Sequence, residues 1–195
     1  MYKLIITTIA LGLFAMANVT AAEYEVDTEK TKLKWHAEKV TGEHDGYVSV
    51  KSGSVDYSDG KLTEGEFVID MTSIMNTDIE DEGYRAKLEN HLKSDDFFSV
   101  EKYPEAKFEI TEVKTVSGQT MVHGTMMIKG ITKKVSFPAE LSASGDSMTA
   151  VATITLDRSD YDVKFRSKSF FDIEALGDKL IYDEFTMTLH LVANK

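Results

Sequence analysis

The stretch Phe67–Ile110, FVIDMTSIMNTDIEDEGYRAKLENHLKSDDFFSVEKYPEAKFEI, sets the architecture of the whole chain. It enters on a run in which Phe67, Ile69 and Met71 share one face and Val68 and Asp70 the other, the period of a half-buried strand. It leaves on a second such run, with Ala106, Phe108 and Ile110 opposite Lys107, Glu109 and Thr111. Between them the spacing predicts a helix over about residues 78–93. Thr77 and Glu80 have the form of a capping box, Asp78, Glu80, Asp81 and Glu82 load its start with negative charge, and His91 and Lys93 sit at its end, as the helix dipole favours. Tyr84, Leu88 and Leu92 recur at i, i+4 and i+8 as one narrow apolar stripe, while Arg85 and Glu89 are spaced to pair on the exposed side. A helix with one stripe in a chain of strands covers one end or flank of the sheet. It is either a plug that completes the core, the commoner case for such stripes, or a lid over a pocket, with Phe97-Phe98 anchoring its exit.

Outward from this stretch the period of two continues. Leu33, Trp35 and Ala37 alternate with Lys34, His36 and Glu38, after a short strand-like run from Tyr24 to Asp27. Thr41-Gly42 and His44-Asp45-Gly46 supply turn residues before a second strand, Tyr47 to Tyr57, bent at Ser52-Gly53; Ser58-Asp59-Gly60 signals a hairpin into Lys61 to Met71. Beyond residue 110, strands are expected over 120–129, 134–142, 148–156 and 184–192. The run from Met148 to Leu156 places Met148, Ala150, Ala152, Ile154 and Leu156 on one face, which can pack closely or leave room. Eight or nine such strands make an all-β antiparallel sandwich or barrel. Closure removes the exposed edge that would template aggregation, so the expected fold is an eight-stranded antiparallel barrel with one helical insertion, about 78–93. An interior of that size holds side chains or one slender ligand.

Residues 1–22 read differently. Lys3 is followed by an apolar run from Leu4 to Val19 and by the small residues Thr20-Ala21-Ala22, the form of a cleaved secretory signal peptide and too short for a membrane span. Residues 23–195 then form one domain, of a length that supports a single sizeable core. Removal of Lys3 takes the formal charge from −11 to −12, which disfavours nucleic acid and anionic bilayer surfaces as main partners. The chain has no cysteine, so disulfides and lipid attachment at a cysteine are excluded. Export with no cysteine suggests a periplasmic or secreted protein.

No motif for catalysis emerges. His36, His44, His91, His123 and His190 are scattered without a two-histidine ligand pair, and no nucleophile elbow, phosphate loop or dinucleotide fingerprint is present. Neither a catalytic residue, a metal nor a cofactor is therefore expected; His44 with Asp70 is the pair an enzyme reading would need to converge. Seven methionines follow the first 22 residues, several on inward faces, where they suit a core or the wall of a site for a flexible hydrocarbon.

The ordered motifs resemble one family. They are Trp35, Lys39-Val40-Thr41-Gly42, His44-x-Gly46, Gly65-x-Phe67-Val68-Ile69-Asp70-Met71-x-Ser73-Ile74, Thr77-Asp78 and Leu88-x-x-His91-Leu92-Lys93-Ser94-x-Asp96-Phe97-Phe98. They continue as Tyr103-Pro104-x-Ala106-x-Phe108, Gly124-x-Met126-x-Ile128-Lys129-Gly130, Arg158-x-Asp160-Tyr161 and Asp183-Glu184-Phe185. From Tyr24 to Val192 the chain is similar to YceI-like proteins, an exported lipid- and polyisoprenoid-binding family. The resemblance implies a lipocalin-like barrel whose cavity takes an isoprenoid lipid, such as a polyprenyl phosphate or a quinone tail, for carriage or sequestration. Its implied wall is Trp35, Phe67, Ile69, Met71, Met126, Ile128, Ile154, Tyr161, Phe165 and Met187, closed by Leu88, Leu92, Phe97 and Phe98, with Arg158, Arg166 and Lys168 as head-group candidates. This shifts the helix from plug to lid. Isoprenoid lipid is the expected partner, with no stable membrane insertion after cleavage and a homodimer left open. Asp162 departs from the pattern, standing where family members often carry glycine, and VKFRSKSFFDIEALGD, residues 163–178, is a long connection, first basic and then aromatic.

Overall fold

In the computed structural model, which describes residues 22–58 and 61–195, the alternating runs become nine strands. They are β1 (Ala22–Val26), β2 (Lys32–Lys39), β3 (Gly42–Ser58), β4 (Lys61–Asn76), β5 (Glu105–Val116), β6 (Gln119–Ile128), β7 (Ile131–Ser144), β8 (Ser147–Asp157) and β9 (Ile181–Asn194). Helix α1 spans Glu82–Lys93, and a one-turn helix α2, absent from the sequence reading, spans Ile173–Leu176. From β2 to β9 each strand pairs antiparallel with the next, and β9 returns to β2, so eight strands close a barrel without a free edge. The short β1 lies across the seam against Ser54–Tyr57 of β3 and Ala193–Asn194 of β9. The expected signal segment, apart from Ala22, lies outside the described residues, as do Asp59 and Gly60 of the expected hairpin turn.

Alternation in the strands translates directly into an inner and an outer face. Along β8 Met148, Ala150, Ala152, Ile154 and Leu156 are buried and their neighbours are not. Ala152 stands opposite Ala139 of β7, and Ala150 opposite Leu141, so small side chains meet across adjacent strands and leave interior volume. The two long connections, residues 77–104 and 158–180, both leave from the same end of the barrel. Short turns join β5 to β6 and β7 to β8 at the other end.

Three local expectations are corrected. His44-Asp45-Gly46 is not a turn: Ala37 pairs with His44, His36 with Asp45 and Trp35 with Gly46 inside the β2–β3 ladder. The glycine serves close approach instead. A Cβ at Gly46 would collide with the Met75 carbonyl oxygen and come within 2.5 Å of the Trp35 ring.

Helix α1 also starts later than the capping-box pattern indicates. Asp81 is its N-cap, accepting from the Tyr84 N–H at 2.9 Å. Asp78 instead accepts the Asp45 N–H at 2.9 Å and a bond from Asn76 Nδ2, and lies 2.8 Å from His44 Nδ1. Thr77 donates its N–H to the Asp45 carbonyl at 2.9 Å. Because β4 runs on to Asn76, these residues are drawn onto β3 before a helix can begin.

The exposed Arg85–Glu89 pair does not form either. Glu89 accepts the N–H of the buried Asn76 at 2.8 Å, while Arg85 reaches the Ile79 carbonyl at 3.4 Å and Glu82 at 3.7 Å. An otherwise unpaired buried N–H outweighs a solvated ion pair. Tyr84 is 69% exposed, Leu88 and Leu92 are half-buried, and no residue of α1 is fully buried. The helix therefore rests on the barrel as a cover and is not a plug inside it.

Candidate functional site

Inside the barrel lies a cavity of about 170 Å³. Its lining runs from Leu62, Met148 and Leu191, near the short turns, to Leu92, Ile181 and Tyr182 at the covered end. Of the expected wall, Trp35, Phe67, Ile69, Met71, Met126, Ile128, Ile154 and Met187 line it from five strands. Leu92, Phe97 and Phe98 line it from the cover. The sequence reading missed equal contributors, among them Leu33, Val48, Phe108, Phe137, Leu156 and Phe185. Their inward phase in the alternating runs was the available signal.

Three expected wall residues lie elsewhere. Leu88 is half-buried on α1 but outside the lining. Tyr161 is 2% exposed in the core, at the end of a 3₁₀ turn over Arg158–Tyr161, and burial pushes its phenol up to about 12. Phe165 forms an outer layer of the cover: its ring lies 4.7 Å from His91 and 5.4 Å from Phe97, and His91 lies 5.0 Å from Phe97, centroid to centroid. His91 Nε2 is also 3.0 Å from Asp96 Oδ2. One aromatic cluster thus joins α1, the loop after it and the β8–β9 connection.

The head-group candidates separate sharply. Arg158 lines the cavity, yet it is 5% exposed and its guanidinium is already engaged. It donates to the carbonyls of Tyr182 (3.1 Å), Val163 (3.0 Å) and Ile181 (3.0 Å), and lies 3.2 Å from Asp183 Oδ1. Burial pulls its pKa down, and the Asp183 charge opposes that pull. Asp183 is itself 2% exposed, and its other oxygen accepts from Ser169 Oγ at 2.8 Å. Arg158 is therefore a lock that fastens the 158–180 connection to β9, and not a free cation awaiting an anion.

Arg166 and Lys168 do not reach the lining; Arg166 lies over the Phe165 ring at 4.9 Å and Lys168 is exposed. Asp162 explains its own departure from the family pattern. It ends the 3₁₀ turn with φ 58°, a left-handed conformation natural to glycine and tolerated by aspartate.

Among the described residues Arg158 is the one charged side chain lining the cavity. His44 and Asp70 do not converge there. His44 pairs with Asp78, and Asp70 accepts from the N–H and hydroxyl of Thr72 at 2.9 and 2.6 Å. On the outer face, His36, Glu38 and Glu43 bring ligand-type atoms within 4.8 Å of one another, a grouping the sequence reading did not make. The β2–β3 register, which a turn at 44–46 would preclude, is what assembles it.

Known proteins share this fold. The chain is 31% identical over 178 residues to a UPF0312 protein of Pseudomonas putida (strain W619), covering 84% of this chain and 89% of that one. Among solved structures, BcnA of Burkholderia cenocepacia superposes with a TM-score of 0.67 at 23% identity, covering 87% of this chain and 99% of its own. A polyisoprenoid binding domain from Saccharophagus degradans superposes at 0.62 with 15% identity, covering 90% and 99%; at these identities the two structures share the fold. The family model of the YceI-like domain matches residues 24–193, and the chain belongs to the YceI-like family.

Proposed function

We propose that this chain is an exported binding protein, not an enzyme, that carries or sequesters an isoprenoid lipid in its barrel. The observation carrying this reading is the cavity: it is closed around by eight strands and apolar along its length, and its one charged neighbour among the described residues is already paired. Such a lining has no chemistry to offer a substrate and suits a hydrocarbon chain. A cavity of about 170 Å³ takes roughly six carbons as it stands, the size of a benzene ring. Burying them at roughly 0.8 kcal/mol each contributes on the order of 5 kcal/mol before ordering and association costs, and each further methylene of a longer chain adds its increment only where the interior widens to admit it. The Saccharophagus degradans domain of the same fold, described as polyisoprenoid binding, supports the ligand class.

Trp35 is the only tryptophan and lines the cavity, so its emission reports occupancy. Titration with a polyprenol is expected to change Trp35 fluorescence saturably, and solvent extraction of the purified protein should yield a prenyl lipid by mass spectrometry. Ala152→Phe fills the cavity from β8. It should lower loading at least about tenfold at a folding cost of roughly 1–3 kcal/mol for overpacking. No extracted prenyl lipid together with no Trp35 response would sink the reading.

A further inference from the structure

Exposed apolar side chains gather at the covered end of the barrel. Phe170, Phe171 and Ile173 are 43, 51 and 57% exposed on the β8–β9 connection. Tyr182 and Val40 are exposed beside it, Val40 being tied in through its N–H to the Leu180 carbonyl at 3.1 Å. The same connection departs from the charge of the rest of the chain. Residues 163–168, VKFRSK, hold three cations and no carboxylate in a chain of formal charge −11. Lys164 is paired with Asp162 at 2.7 Å and lies 5.2 Å from the Phe170 ring centre. Arg166 and Lys168 form no ion pair among the described residues. Asp172, Glu174 and Asp178 follow, which leaves the connection near neutral against an acidic background.

Exposed rings flanked by unpaired cations are what a bilayer interface accepts: the rings enter the head-group boundary and the cations meet phosphates. A second copy would set the same cations against each other, whereas anionic head groups complement them locally, against the screened repulsion of the rest of the acidic chain. We propose that this face docks on a phospholipid bilayer bearing anionic head groups, seating the covered end of the barrel on the membrane. The inference rests on the lipid-carrier reading and names the surface with which that carrier exchanges its cargo. Phe165, on the same connection, backs Phe97 of the cavity's cover, so docking and access to the cavity share one element.

Sedimentation of the full chain with vesicles of phosphatidylcholine plus phosphatidylglycerol, and with phosphatidylcholine alone, tests this. The wild type is expected to favour the mixed vesicles. F170S/F171S should lower partitioning about tenfold on both, and R166Q/K168Q about tenfold on the mixed vesicles only. Polyprenol loading read from Trp35 should be unchanged in F170S/F171S. A wild type that does not sediment, or an F170S/F171S variant that sediments like it, overturns the proposal. So does a variant whose only change in analytical ultracentrifugation is from dimer to monomer, which would assign the patch to a second copy. Vesicle binding as expected with no Trp35 response to polyprenol would leave the docking surface standing and remove the lipid-carrier reading.

Discussion

Replacing Arg158 by methionine keeps most of the side chain's length while removing its charge and all its donors. Asp183, 2% exposed, would then hold an uncompensated charge, and the carbonyls of Tyr182, Val163 and Ile181 would lose their partner. Breaking a buried pair from one side costs about 3–5 kcal/mol. At roughly 2–4 °C per kcal/mol for a domain of this size, Tm should fall on the order of 10 °C. Adding Asp183→Asn removes the stranded charge and should recover part of the loss, leaving roughly 1–3 kcal/mol for the unpaired carbonyls. Urea unfolding of the wild type, both single variants and the double variant gives the cycle, read alongside polyprenol loading. If R158M stays within about 1 kcal/mol of the wild type and yet loses loading, the guanidinium serves the ligand and the lock reasoning is wrong.

Three further outcomes follow from the β2–β3 ladder. Gly46→Ala puts a methyl where the Trp35 ring and the Met75 carbonyl already are; a loss of about 1–3 kcal/mol and a red shift of Trp35 emission are expected, and an unchanged melting curve and spectrum would contradict the close-approach role. Asp45 is held below the usual carboxylate range by its hydrogen bond from Lys34, with His36 adding to it. Its contribution to stability is therefore present above its unfolded pKa, near 4, and is lost as pH falls through its lower folded value. The gap in urea midpoint between the wild type and Asp45→Asn should accordingly narrow between pH 7 and pH 3. His36 is shifted the other way, raised by its bond to Glu38 and then by Asp45. Its contribution is full below about 6.5 and fades as pH rises through its folded pKa, so Asp45→Asn should lower the His36 midpoint in an NMR titration.

The barrel was legible because alternation at period two survives in most strands, with changes of phase along β3 and β4, and because a closed sheet is the one arrangement that hides every edge. Strand phase grouped Trp35 with Leu33, and Ile69 with Phe67 and Met71, each on one face; the family resemblance turned those faces toward a cavity, and they line it. What alternation cannot convey is the use of polar groups. Asp78 has the composition of a helix start, yet the extension of β4 takes it to the β3 rim. Arg158 has the look of a ligand cation until the path of residues 163–183 brings three carbonyls and a carboxylate to it. Gly46 reads as a turn because a glycine demanded by a neighbour's ring and a glycine demanded by backbone curvature are the same letter. These are properties of pairs distant in sequence, and no local period encodes them.

The seam between β2 and β9 has a kinetic meaning. Each of the other barrel pairings joins strands consecutive in the chain, so it can form as the chain zips along itself. The seam instead joins residues about 160 apart, as where Thr31 Oγ1 donates to the Val192 carbonyl, and it carries the largest loop-closure entropy. Until it closes there is a curled sheet but no enclosed volume. Anything held inside therefore counts the seam among its own walls, and cargo at a hundred times its dissociation constant would weight the shut barrel by about 2.7 kcal/mol. On the carrier proposal, loading and completion of the fold would be one equilibrium.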